Sequence, residues 1–184
     1  MFNEFTKEII KEISTVLDTV KNEEIELLAD QILNSKKIVV CGAGRVGMAI
    51  RGFGMRLGHL GLNAFTLGDS TVPSIAEGDL MIVASGSGET QTIYDIAALS
   101  KKNNAKLAIV TGRPESRMGQ IADIIVTVKA PSKVSAVDGF KSIQPMTTLN
   151  EQSLSILFDA VVLVLMKKMN QTHDDMWARH SNLE

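Results

Sequence analysis

The sequence predicts an α/β fold: an αβα sandwich in which a five-stranded parallel sheet is flanked by helices. Three observations carry that expectation. Five short runs rich in valine and isoleucine alternate with longer segments of helical spacing. Apart from the second, their centres are contiguous apolar residues, as in strands covered on both faces. The first and third end in glycine-rich loops, residues 42–47 and 85–90, that lead straight into helical segments. Ligands of such sheets bind beyond the carboxyl ends of the strands, so both loops belong on one functional rim.

The elements follow in order. Residues 3–20 place Phe5, Ile9, Ile13, Val16, Leu17 and Val20 three and four apart, which makes one apolar helical face. After a break at Lys21 and Asn22, residues 23–33 repeat the pattern with Ile25, Leu28 and Ile32. Two amphipathic helices exceed what a minimal sheet domain needs, so one is a candidate for packing on a partner subunit. The first strand is 36–41, followed by a helix over 46–59 that Gly61 ends. The second strand is 62–67, and a loop over 68–78 contains Pro73. The third strand, 79–84, leads to the hydroxyl-bearing loop and a helix over 91–102. The fourth strand, 106–111, is broken by Gly112, Arg113 and Pro114; a short helix over 116–122 precedes the fifth strand, 123–128. A polar loop over 129–147 carries the breakers Pro131, Gly139 and Pro145. A long helix over 149–169 and a tail over 170–184 complete one domain, 1–184, whose first 34 residues are the N-terminal helices.

Bulk properties remove several classes of function. The net charge is −2, which gives no basic footprint for nucleic acid. The single cysteine, Cys41, lies in an apolar run; it forms no internal disulfide and fits a reducing cytoplasm. Glu4, Glu8 and Glu12 among the first apolar residues argue against a signal peptide. The longest apolar run, 156–166, contains Asp159 and is too short to span a bilayer, so it reads as a buried helix. His59, His173 and His180 have no metal-ligand spacing, so no metal site is expected. Met48, Met55 and Met81 read as core fillers.

The chemistry centres on Ser85, Gly86, Ser87, Gly88, Glu89 and Thr90. Two glycines let the backbone turn tightly and approach a ligand. Three hydroxyls donate hydrogen bonds, and the next helix directs its N–H groups and positive dipole end at the same spot. Those parts suit a phosphate monoester. An ordinary strand-to-helix turn capped by Thr90 needs one hydroxyl, and this loop offers three. Residues 42–47 match G-x-G-x-x-G, yet the nearest acidic residue for a dinucleotide ribose, Asp69, comes 27 residues after Gly42 and beyond Gly68. Arg45 is either a planar phosphate fork or a solvated helix-start residue. Glu151 heads the long apolar helix. Thr148 and Glu151 also fit a capping box, so a base and a structural cap both stay open. His59, near a helix C-terminus, is a cap or a catalytic group.

Taken together, Gly42-Ala43-Gly44-Arg45, the stretch from Met55 to Gly61 and the serine loop resemble the sugar isomerase (SIS) domain family. The stretch Ser142-Ile143-Gln144-Pro145-Met146, with Glu151-Gln152 and the ending Arg179-His180-Ser181-Asn182-Leu183-Glu184, resembles its 6-phospho-3-hexuloisomerase branch. The resemblance covers nearly the whole chain. It implies a cytoplasmic flavodoxin-like sandwich assembled as a homotetramer, a dimer of dimers, with sites near subunit contacts. It also implies interconversion of D-arabino-3-hexulose 6-phosphate and D-fructose 6-phosphate in the ribulose monophosphate pathway, without cofactor or metal. By motif match, Gly44, Arg45, Val46 and residues 85–90 bind substrate, and Glu151 accepts the proton. His59, of the same chain or of a neighbouring subunit, is a second catalytic candidate. Val46 departs from the family's usual serine and cannot donate; Thr147 and Asn150 replace a usual glycine and aromatic residue. The alternative reading is a sugar-phosphate sensor that does not catalyse.

Overall fold

The computed structural model describes residues 1–131 and 141–183; the expected breaker Gly139 and the last tail residue, Glu184, lie outside them. Helices α1 (Phe2–Leu17) and α2 (Asn22–Leu33) come first, then strand β1 (Ile38–Gly42) and helix α3 (Gly44–His59). Strands β2 (Ala64–Thr66) and β3 (Leu80–Ala84) follow, with helix α4 (Gln91–Lys102), strand β4 (Lys106–Thr111), helix α5 (Arg117–Ile121) and strand β5 (Ile124–Thr127). Helices α6 (Thr148–Met169) and α7 (His173–Trp177) end the chain.

All strand pairs are parallel, in the order β2-β1-β3-β4-β5. The chain therefore winds one way from β1 to β2 and the other way from β1 through β3. A crevice opens where the direction reverses, between the carboxyl ends of β1 and β3. Side chains alternate across the sheet as the pleat requires. Ile38, Val40, Leu80 and Ile82 face a core shared with α1, α2, α3 and α6. Val39, Cys41, Met81 and Val83 face a second core with α4 and α5.

Several details differ from the sequence reading. The second strand is three residues, because Leu62 is taken by the end of α3, its amide donating to the Leu57 carbonyl at 3.0 Å. Met48 and Met55 are 71% and 53% exposed, whereas Met81 is buried. The reason is that α3 turns its glycines to the sheet: a Cβ on Gly47 would sit 2.6 Å from the Gly42 carbonyl oxygen, and one on Gly54 would sit 2.7 Å from Val40. The methionines are left on the outer side. The last long helix is half buried rather than wholly so, with Ile156 and Leu163 exposed. Its 22 residues are long and apolar enough to cross a membrane by length and composition alone, but one side is packed as core.

Candidate active site

A cavity of about 350 Å³ opens at the β1/β3 crevice. Its walls are Ala43 to Val46 after β1, Ala84 to Ser87 and Thr90 after β3, and Thr147, Asn150 and Glu151 at the head of α6. Three helices thus begin at one hollow. Their N-caps are Ala43, Thr90 and Thr147, and none makes a side-chain capping bond. The first N–H groups of a helix lack intrahelical partners, and the dipole leaves positive charge there. Three such ends around one cavity concentrate positive potential there without any lysine, an arrangement that suits an anion.

The serine loop is shaped by its own hydrogen bonds. Ser85 Oγ accepts from the Gly88 amide at 3.2 Å, and Ser87 Oγ accepts from the Glu89 amide at 3.2 Å. A hydroxyl that accepts still has its hydrogen to donate. Thr90 takes the N-cap position without using its hydroxyl as a cap. Gly88 has φ +65°, and a Cβ there would overlap Ser116 Oγ, so only glycine turns the chain here. Glu89 faces away: its Oε1 accepts from the Arg117 amide at 3.1 Å and its Oε2 lies 3.2 Å from Arg117 Nε. Gly88 and Glu89 therefore shape the loop from behind, while Ser85, Gly86, Ser87 and Thr90 line the cavity.

Opposite the loop, the capping-box reading of Glu151 is not realised. The N-cap is Thr147, one residue earlier than Thr148, and the Glu151 side chain does not reach back to the cap backbone. Instead Glu151 Oε1 accepts from Thr147 Oγ1 at 2.7 Å, and Oε2 lies 3.0 Å from Arg45 Nη1. Arg45 also donates to Thr148 Oγ1 at 3.1 Å. The glutamate side chain is 13% exposed, within the wall of the cavity. Gly44, with φ +57°, starts α3 beside it, and Val46 adds an apolar wall.

His59 lies elsewhere. It ends α3, fourteen residues beyond Arg45, a separation of about 21 Å along the helix at 1.5 Å per residue. There it lines a second hollow with His173, His180 and Trp177. The His59 and His180 rings lie 5.2 Å apart, and Arg179 Nη1 donates to the His59 carbonyl at 3.2 Å. The tail is thereby fastened to the end of α3. The structure brings Arg45, the loop hydroxyls and Glu151 together within one chain, and leaves His59 at the far end.

Two residues take roles that no motif gave them. Thr147 holds Glu151, a role masked in the sequence because the capping pattern pointed to Thr148. Glu12 of α1 is 5% exposed and accepts from Ser142 Oγ (2.7 Å), the Ile143 amide (2.7 Å) and Gln144 Nε2 (2.9 Å). Burial pushes its pKa upward. The bonds from Gln144, Ile143 and Ser142 outweigh burial and hold its carboxyl below the usual range. Its neighbours in sequence gave no sign of this, because the partners are some 130 residues away.

The SIS domain family pattern matches residues 31–156. A protein of Bacillus subtilis (strain 168) named 3-hexulose-6-phosphate isomerase is 41% identical over 181 residues, 98% of this chain and 98% of its own. A protein of the same name from Mycobacterium gastri is 36% identical, over 94% of this chain and 86% of its own. A crystal structure from Methanococcus jannaschii, described as inferring a molecular function of 3-hexulose-6-phosphate isomerase, matches with a TM-score of 0.84 at 29% identity, covering 98% of this chain and 99% of that one. With its five-stranded parallel sheet, its serine loop at the crevice and this full-length similarity, the chain belongs to the SIS domain family.

Proposed function

We propose that this chain is an isomerase that interconverts D-arabino-3-hexulose 6-phosphate and D-fructose 6-phosphate through an enediol. The observation that carries the reading is the cavity itself: the hydroxyls of Ser85, Ser87 and Thr90 at the uncapped start of α4 stand across from the carboxylate of Glu151, which lies with the uncapped starts of α3 and α6. The first group suits a phosphate dianion, and hydrogen bonds to a charged group contribute about 1.5–3 kcal/mol each, enough to hold one pose. The full-length relatives supply the substrate class.

In this mechanism Glu151 takes the proton from carbon 2 of the hexulose. The electron pair forms the carbon 2–carbon 3 double bond, and oxygen 3 gains a proton. Glu151 then returns its proton at carbon 3 while oxygen 2 gives one up, leaving the ketone at carbon 2. Each oxygen of the carboxylate has more than one acceptor site, so contacts with Thr147 and Arg45 leave room for the substrate proton. Arg45, beside Glu151, is our candidate to steady charge on the two reacting oxygens. The hexulose needs no ring opening, because the oxygen on carbon 6 that would close onto carbon 3 carries the phosphate. Cyclic fructose 6-phosphate does need it, and His59 of a second copy is our candidate for that step.

We read the chain as one SIS domain acting in the cytoplasm as a homotetramer built as a dimer of dimers. Exposed Met48 and Met55 on α3, and Ile156 and Leu163 on α6, offer apolar surface for subunit contacts. Val46, which gives the cavity an apolar wall in place of a hydroxyl, favours the second reading, a sensor. Proton NMR of fructose 6-phosphate in heavy water separates the two. Wild type is expected to exchange the carbon 3 proton, and Glu151→Gln to lose about 10²- to 10⁴-fold in rate. Exchange at carbon 1 would identify a different isomerase. Binding without exchange, and without turnover in a direct assay, would favour the sensor.

A further inference from the structure

Asn150 is the polar residue of the cavity that the mechanism leaves unused. It stands one residue before Glu151 on the first turn of α6 and is 2% exposed. Its amide presses on the serine loop: a Cβ on Gly86 would lie 2.8 Å from Asn150 Nδ2. The side chain lines the cavity, and its buried Oδ1 has no hydrogen-bond partner among the described residues. An acceptor taken from water without a partner is unfavourable, so a residue with only a packing role would be better apolar.

Position says what the missing partner is. The phosphate on carbon 6 belongs with the serine loop, and carbons 2 and 3 belong beside Glu151. Asn150 touches the loop on one side and adjoins Glu151 on the other. Only carbons 4 and 5 of the open sugar lie between those two ends, each bearing one hydroxyl. A hydroxyl both donates and accepts, and so does a carboxamide. We propose that Asn150 is a specificity-determining residue, its side-chain amide hydrogen-bonding the sugar hydroxyl on carbon 4 or carbon 5. This rests on the cavity being the sugar-phosphate site. It makes Asn150 a measuring point: a sugar phosphate lacking that hydroxyl leaves the amide unpaired again, and is discriminated against.

The test crosses the residue with the hydroxyl. Steady-state turnover is measured for fructose 6-phosphate and its 4-deoxy and 5-deoxy analogues, with wild type, Asn150→Ala and the similarly shaped Asn150→Leu. Folding of each variant is checked by circular dichroism, and Asn150→Leu keeps the space beside Gly86 filled if the alanine variant does not fold. In wild type, one analogue is expected to lose about tenfold in kcat/KM relative to fructose 6-phosphate. In a folded variant, that preference is expected to fall to within about threefold, through loss on the two sugars that keep the bonded hydroxyl and not on the one that lacks it. Equal losses on all three sugars would mean that Asn150 only supports the loop, and would overturn the proposal. An unchanged preference would overturn it as well. Wild type without turnover of fructose 6-phosphate would overturn the sugar-phosphate isomerase reading beneath it.

Discussion

Glu12→Gln perturbs the buried clamp between α1 and the segment that leads into α6. Three donors converge on the carboxylate: Ser142 and Gln144 on Oε2, and the Ile143 amide on Oε1. Glutamine keeps one oxygen. Placed to serve Ser142 and Gln144, it turns its own N–H₂ toward the Ile143 N–H, donor against donor. One charge-assisted bond of about 1.5–3 kcal/mol is lost, and two others weaken to neutral bonds of about 0.5–1.5 kcal/mol. Partial relaxation of the loop returns some of this, so the expected destabilisation is about 3 kcal/mol. For a chain of this size that is a fall in Tm of about 6–12 °C. The pH dependence has a definite sign. The folded carboxyl lies below its unfolded value, so its contribution is whole above roughly pH 5 and is lost as pH falls through the folded value. Urea unfolding followed by circular dichroism at neutral and acid pH reads both effects. The gap between wild type and variant is expected to narrow toward acid. A gap under about 1 kcal/mol at pH 7, or one that does not change with pH, would refute the argument.

Three further outcomes follow from separate features. Burial pushes the Cys41 thiol up to about 11, so the native protein is expected to resist a disulfide reagent at pH 8 and to titrate one thiol in urea. Gly88→Ala forces a side chain into the left-handed region and onto Ser116. It is expected to cost about 2 kcal/mol or more by thermal melting and to raise KM for the sugar phosphate. His59→Ala is expected to slow turnover from fructose 6-phosphate more than turnover from the hexulose; equal loss in both directions counts against a ring-opening role.

The sheet was legible because four of its five strands are contiguous runs rich in valine and isoleucine, and contiguity survives in sequence. The serine loop was legible for the same reason: its hydroxyls and glycines lie within six positions. The opposite wall was legible only as separate residues, Gly44, Arg45, Val46 and Glu151, without their contacts. Arg45, Thr147 and Glu151 meet from two distant segments, and local capping rules assigned Thr148 a role that Thr147 holds. Met48 and Met55 look like core in any hydrophobic pattern. Only close packing of α3 on β1 reveals that the buried side is Gly47, Ile50, Phe53, Gly54 and Leu57, with the methionines left outside. Glu12 reads as a solvated helix residue until its partners, some 130 positions away, are in place.

Helices α3 and α6 lie against each other and run the same way, both starting at the cavity and both reaching the hollow beside the tail. Side-by-side dipoles of one direction repel, and the repulsion is concentrated at their ends. The chain answers at the carboxyl end with Arg56 and His59 on α3 and Lys167 and Lys168 on α6, and all three of its histidines line the hollow there. At the amino end the compensating charge is only partly built in, because α3 has no acidic residue in its first turn and α6 has Glu151 alone. The protein is thus electrically polarised along this pair of helices. Part of the positive potential at the cavity belongs to the peptide backbone, and stripping the loop of every hydroxyl would leave that part in place.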